Sequence, residues 1–264
     1  MAELVRFDLA PSTGVATITL DSPHNRNALS RQLVRELADA IARAEHDDAR
    51  AIVLTHDGPA FCAGADLKER PTDSAGGGVN DGTNTSAAFV EIMTRLMETP
   101  RPTIAAVRGA VRAGGIGLMA SCDLVVVESS VSFALTEVRI GVAPAIISVP
   151  ILRRVPAAQI AAAMLTGEPF DADRAREMGL VTHVTDDVTA QIDELCAGIA
   201  AGAPRAVAET KRLLHHVPRL DAAPAFVEMQ ALSDELFRGP DAAEGMAAFR
   251  ERRPPAWADQ ANNR

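Results

Sequence analysis

Phe61-Cys62-Ala63-Gly64-Ala65-Asp66-Leu67-Lys68-Glu69, followed further along by Gly109-Ala110-Val111-Arg112-Ala113-Gly114-Gly115-Ile116-Gly117, is the pair of segments on which the fold turns. Each comes after an apolar, strand-like run and reads as a glycine-containing turn that opens a helix. At such a junction the first helical amides lack an internal partner. They point outward at the positive end of the helix dipole. Gly and Ala let another atom approach the backbone closely. Two such turns could aim two amides at one oxygen, which is an oxyanion hole for an enolate or tetrahedral intermediate. Taken alone, either segment also reads as a plain tight turn.

Outward from these turns the chain alternates strands and helices. Leu4–Leu9 alternates in polarity, and Gly14–Leu20 is rich in β-branched residues. Leu29, Leu33, Leu37 and Ile41 fall four apart behind Ser30, the pattern of a capped amphipathic helix. Ala51–Thr55, Thr103–Val107 and Leu124–Val127 are short apolar runs of the kind buried in parallel sheets. Ala87–Met97 reads as a helix stopped by Pro100 and Pro102, and Val131–Ala134 as a short edge strand. Pro71–Ser86 holds almost nothing that could pack and reads as a loop. Beyond Pro144 the texture becomes helical, over 157–165, 172–178, 188–201, 204–216, 222–237 and 240–251. One short strand, Val181–Val184, interrupts it. The expected class is α/β, with a core over 1–200 and a helical region over 201–264.

Composition narrows the function. The chain has 264 residues with 26 basic and 35 acidic side chains, a formal charge of -9, which disfavours a general nucleic-acid binder. No apolar run has the length of a membrane span, and the first residues do not resemble a secretory leader. Cys62, Cys122 and Cys196 are few and scattered, so neither a disulfide framework nor a metal knuckle is expected. A cytoplasmic location is the default expectation. The chain has no tyrosine and one tryptophan, Trp257, which removes short-chain dehydrogenase chemistry and makes stacked-base recognition unattractive.

Rival motifs fail on inspection. The second glycine segment lacks G-x-G-x-x-G and sits mid-chain. Residues 76–82, GGGVNDG, lack the Lys-Ser/Thr ending of a P-loop. No G-x-S-x-G elbow is present. His215-His216 lacks metal-ligand spacing and reads as a solvated face, so no metal is expected. Cys62 beside Phe61 reads as core. Among the acids, Glu137 stands out. It follows the apolar run Val131–Leu135 and precedes Gly141-Val142-Ala143-Pro144. Either it is an exposed loop acid, or its setting raises its pKa and lets it trade protons near neutral pH.

Taken together, these segments resemble the enoyl-CoA hydratase/isomerase (crotonase) superfamily over essentially the whole chain. The carriers are Asn25-Arg26-Asn27-Ala28-Leu29-Ser30, the Phe61–Glu69 segment, Ala113-Gly114-Gly115, Cys122-Asp123-Leu124 and Glu137. Ala175, Met178-Gly179-Leu180-Val181 and the closing run from Glu244 to Pro255 complete them. The second and third of these, in order, are specific; Asn25–Ser30 alone is weak. The string Ala65–Arg70 and the Arg252–Pro255 tail look most like hydratases of branched-chain and short-chain acyl-CoA breakdown. The resemblance implies a spiral of repeated ββα units, with C-terminal helices that build a homotrimer or a dimer of trimers. It implies that the amides of Ala65 and Gly114 hold the thioester oxygen. Arg26, Asn27, Ala28, Ala63, Asp66 and Leu67 would cradle coenzyme A, which enters as part of the substrate rather than as a separate cofactor.

One departure matters. A family hydratase uses two glutamates, one on the helix after the Ala-Gly-Gly turn and one at the Glu137 position. Here the first position is Gly117, and 113–121 contains no acid. Whole-chain similarity puts hydration of a trans-2-enoyl-CoA first. Glu137 as sole acid and base puts Δ3,Δ2-enoyl-CoA isomerisation as the alternative. A non-catalytic acyl-CoA binder is a third reading; an RNA binder is disfavoured by charge. Arg112, just before the Ala-Gly-Gly turn, could face solvent, a neighbouring subunit or an anionic acyl group.

Overall fold

The computed structural model describes residues 2–66, 68–69 and 85–260. The chain opens with a hairpin of β1 (Val5–Leu9) and β2 (Val15–Leu20), in register Val5 opposite Leu20. Helix α1 (Arg31–His46) then crosses to β3 (Ala51–His56), parallel to β2. Ser30 caps α1, its hydroxyl accepting from the Leu33 amide at 3.3 Å. The face of Leu33, Val34, Leu37 and Ile41 is buried, as the four-residue spacing requires.

From β3 onward the chain repeats a turn. β3 is followed by β4 (Ala60–Cys62) and α2 (Thr85–Glu98). Next come β5 (Thr103–Val107), β6 (Ala110–Arg112) and α3 (Gly114–Ala120), and then β7 (Leu124–Glu128) and β8 (Ser132–Ala134). In each turn the first strand joins a six-stranded sheet and the second a four-stranded one. The sheet orders are β1-β2-β3-β5-β7-β10 and β4-β6-β8-β9. The chain thus spirals, one strand to each sheet per turn. The strands β3, β5 and β7 pair in parallel and are apolar almost throughout, because both sheet faces are covered.

The later elements are α4 (Ala145–Arg154), α5 (Ala157–Thr166), β9 (Phe170–Asp171), α6 (Ala172–Glu177) and β10 (His183–Thr185). The helices α7 (Val188–Ala200), α8 (Pro204–His216), α9 (Ala222–Phe237), α10 (Pro240–Glu251) and α11 (Ala256–Gln260) follow. No helix among the described residues is long and apolar enough to cross a membrane.

Several sequence expectations change; the strand expected over Val181–Val184 is β10, His183–Thr185. Val131–Ala134 is not an edge: β8 lies between β6 and β9. Helix α2 begins at Thr85, ahead of the expected Ala87. The second glycine segment contains a strand, β6, before its helix. Helix α4 had no counterpart in the sequence reading. Its buried residues Ile147, Pro150 and Ile151 keep helical spacing, but Pro150 inside the helix masks the pattern.

Candidate active site

The two glycine segments meet. At Gly64, φ is +87°, and a Cβ there would lie 2.8 Å from the Cβ of Ala113 and 3.3 Å from the Gly114 nitrogen. Only glycine permits both that backbone angle and that approach. The first turn is tied down by its neighbours. The Ala63 amide donates to Arg26 O at 3.0 Å, and the Leu29 amide to Gly64 O at 2.8 Å, so Leu29 bridges Ala65 as an added strand residue. This turn does not run directly into a helix, as expected from sequence; Lys68 and Glu69 continue it as a turn. In the second turn Ala113 adopts φ +47°, a strained angle for alanine, held by its amide bond to Ala134 O at 3.0 Å. Helix α3 starts at Gly114. Among the described residues, neither the Ala65 nor the Gly114 amide has a hydrogen-bond acceptor.

Both turns open on a cavity of about 320 Å³. Its walls come from α1 and α2, from the two turns and from the segment 136–147. Glu137 is the one ionisable side chain among the described lining residues. It begins the short 3-10 turn Glu137–Ile140 that follows β8, closed by the Val142 amide donating to Glu137 O at 3.1 Å. Its Oε2 is buried and has no partner among the described residues. Burial raises the carboxyl above its ordinary range, and its own backbone amide offsets this only in part. Glu137 is thus a half-buried carboxyl facing the cavity rather than a fully exposed loop acid.

At Gly117, where a second acid would stand, α4 packs directly on the backbone. A Cβ at 117 would lie 2.3 Å from Ile147 Cγ2, 2.6 Å from its Cβ and 3.3 Å from its Cα. Ile147 is 4% exposed and lines the cavity.

The other expected site residues fall around the first turn. Ala63 and Ala65 line the cavity, and Arg26 is exposed beside them, its carbonyl bonded to Ala63. Asp66 accepts from the Lys68 amide at 3.0 Å. Ala28 is buried, and Leu67 lies outside the described residues. The Asn27 side chain is fully buried and committed to the fold. Its Oδ1 accepts from the Ser22 amide at 2.7 Å, and its Nδ2 donates to Asp57 O at 3.0 Å and Ala60 O at 2.8 Å. Only its backbone can meet a ligand.

Arg112 turns away from the cavity. It donates to Ser132 O at 2.6 Å, Ser132 Oγ at 2.9 Å and Val111 O at 2.9 Å, bracing β6 against β8. Asp123 is committed to the fold. It accepts from the Thr103 amide at 2.8 Å and from Lys211 Nζ at 2.8 Å. His215, read as solvated, instead reaches Asp123 at 3.2 Å, and His216 pairs with Glu228 at 2.8 Å. Sequence reasoning missed Lys211, whose neighbours on α8 gave no hint of burial. It also missed Ile147. Among the described residues no group of three His, Cys, Asp or Glu could hold a metal.

Paired two-sheet turns of ββα, with touching glycine turns over an apolar cavity that holds one carboxyl, define a crotonase-fold protein. Comparison with known proteins agrees. The family model for enoyl-CoA hydratase/isomerase matches residues 11–260, and the chain belongs to that family. A solved enoyl-CoA hydratase from Mycobacterium smegmatis superposes with a TM-score of 0.88 at 32% identity, covering 97% of this chain and 99% of that one. One from Mycobacterium avium is 41% identical, with a TM-score of 0.72 over 97% of this chain and 100% of that one. The enoyl-CoA hydratase EchA19 of Mycobacterium tuberculosis is 32% identical over 247 residues, 92% of either chain.

Proposed function

We propose that this chain moves a proton on the acyl part of a coenzyme A thioester, with Glu137 as the sole acid and base, and that its reaction is isomerisation of a 3-enoyl to a 2-enoyl thioester. The observation that carries this reading is that Glu137 is the one ionisable side chain lining the cavity among the described residues. Ionised Glu137 takes a proton from C2, and the electron pair of that C–H bond passes into a dienolate with its charge on the thioester oxygen. The amides of Ala65 and Gly114 are the donors that would hold that oxygen. Glu137 then returns the proton to C4, the double bond now lies between C2 and C3, and the carboxylate is regenerated. No water is consumed. Arg26 would meet a coenzyme A phosphate, and Ala63, Ala28 and the Asn27 backbone the pantetheine.

Hydration of a 2-enoyl thioester is the second reading. It is favoured by the names of the relatives, which are enoyl-CoA hydratases. Offering the enzyme a 3-enoyl and a 2-enoyl thioester separately, and following the double bond and the 3-hydroxyacyl product, separates the two. Rapid 3-hydroxyacyl formation from the 2-enoyl substrate would sink the isomerase reading. A homotrimer, alone or paired, is the assembly proposed with either.

A further inference from the structure

We propose that Ile147 is the specificity-determining residue of the site: by packing on Gly117 it closes one wall of the cavity that holds Glu137 with carbon and leaves a reacting water nothing there to hold it. The inference rests on the isomerase reading and deepens it. Gly117 is not a vacancy left by a lost acid. A Cβ at 117 would collide with Ile147 Cγ2 at 2.3 Å and with its Cβ at 2.6 Å, an atom fixed to the α4 backbone, and would press on its Cα at 3.3 Å. A rotamer change could not relieve this; the helix would have to move. Gly117 and the seat of α4 are therefore one feature, and a carboxylate cannot be restored at 117 without remaking α4.

The consequence for chemistry follows from what α4 and its lead-in present. From Val142 to Ile147 the lining side chains are Val142, Ala143, Pro144, Ala145, Ile146 and Ile147, all carbon. The carbonyls of Ala143 and Pro144 are already taken by the amides of Ala145 and Ser148, at 2.8 and 2.9 Å. The hydroxyl residues of the lining, Thr85, Ser86 and Thr136, lie outside this stretch, so a water standing against it would find no side-chain partner in the wall itself. A held water needs two to four polar partners. Glu137, whose Oε2 has no partner among the described residues, is thus kept for the carbon acid.

The test is the partition of products from a 3-enoyl thioester in Ile147→Ala and in the gentler Ile147→Val, alongside wild type. Trimming Ile147 opens room in the cavity that holds Glu137, so the 3-hydroxyacyl fraction should rise about tenfold in the alanine variant, about 1.4 kcal/mol off the competing barrier, and less in the valine variant. Binding of a saturated acyl-CoA and a cooperative melting curve show that each variant is folded. Folded variants with an unchanged hydrated fraction, from a wild type that isomerises, would overturn the role of Ile147 alone. A wild type that itself hydrates freely would instead overturn the isomerase reading beneath it.

Discussion

At the scale of single residues, the proposed site rests on one acid and one glycine. A carboxyl with a raised native pKa binds its proton more tightly folded than unfolded, so it withdraws stability as pH rises from about 4.5 through its native pKa. Glu137→Gln removes that penalty. Its melting temperature should match wild type below pH 4.5 and equal or exceed it above. Its turnover should fall by about 10²–10⁴ while acyl-CoA binding survives; wild-type turnover in this variant would remove Glu137 from the chemistry. In wild type, kcat/KM should climb with pH through the raised value and then level, because the ionised form is the base. Gly64→Ala places a methyl 2.8 Å from Ala113 at φ +87°. It should cost about 1–2 kcal/mol in a urea titration and lower turnover further by prising Ala65 from Gly114. Both residues were legible in the sequence, Gly64 from its place in a turn and Glu137 from the apolar run before it. Ile147 was not, because what matters there is a contact between residues thirty apart in the chain, and sequence spacing carries no distance.

At the scale of elements, the strands were legible because burial on both faces demands unbroken apolar runs, as in Thr103–Val107. Helix α4 was hidden by Pro150, and α8 revealed its helix but not its anchor. That anchor is Lys211, 5% exposed, which donates to Leu96 O and Arg101 O, each at 2.9 Å, and meets Asp123 at 2.8 Å. Burial pushes Asp123 upward, but the hydrogen bond from His215 and the charge of Lys211 outweigh it and hold the carboxyl below its ordinary 3.8. The stability this group contributes is therefore fully present above pH 3.8 and is lost as pH falls through the lower native value. Lys211→Met leaves the buried carboxylate without its cation and should cost about 3–5 kcal/mol at neutral pH. The gap to wild type, read from urea midpoints, should narrow in acid once Asp123 is protonated in both. An equal gap at every pH would show that Lys211 acts through packing alone.

At the scale of the whole molecule, the C-terminal helices do not behave like parts of a finished monomer. Helix α9 buries only Ala225 and α10 only Ala248, whereas Phe226, Phe237 and Phe249 stand 77%, 70% and 85% exposed. Large apolar side chains gathered on two adjacent helices mark an interaction surface. Their helical character was legible in the sequence, but their exposure was not, since an apolar stripe reads the same whether its own core or another copy covers it. A closed ring of identical chains uses two different patches on each copy, so a single charge on one patch breaks every contact in the ring. If the proposed assembly is a single ring of three 27.8 kDa chains, Phe249→Glu should convert it into single chains in sedimentation velocity. Because an assembly that forms only from folded chains is stabilised by mass action, the wild-type melting temperature should rise with protein concentration and the variant's should not. If the variant sediments as wild type, Phe249 faces solvent in the assembly and the interface lies elsewhere. The exposed apolar residues of α4, Val149 and Leu152, would then be the next surface to charge.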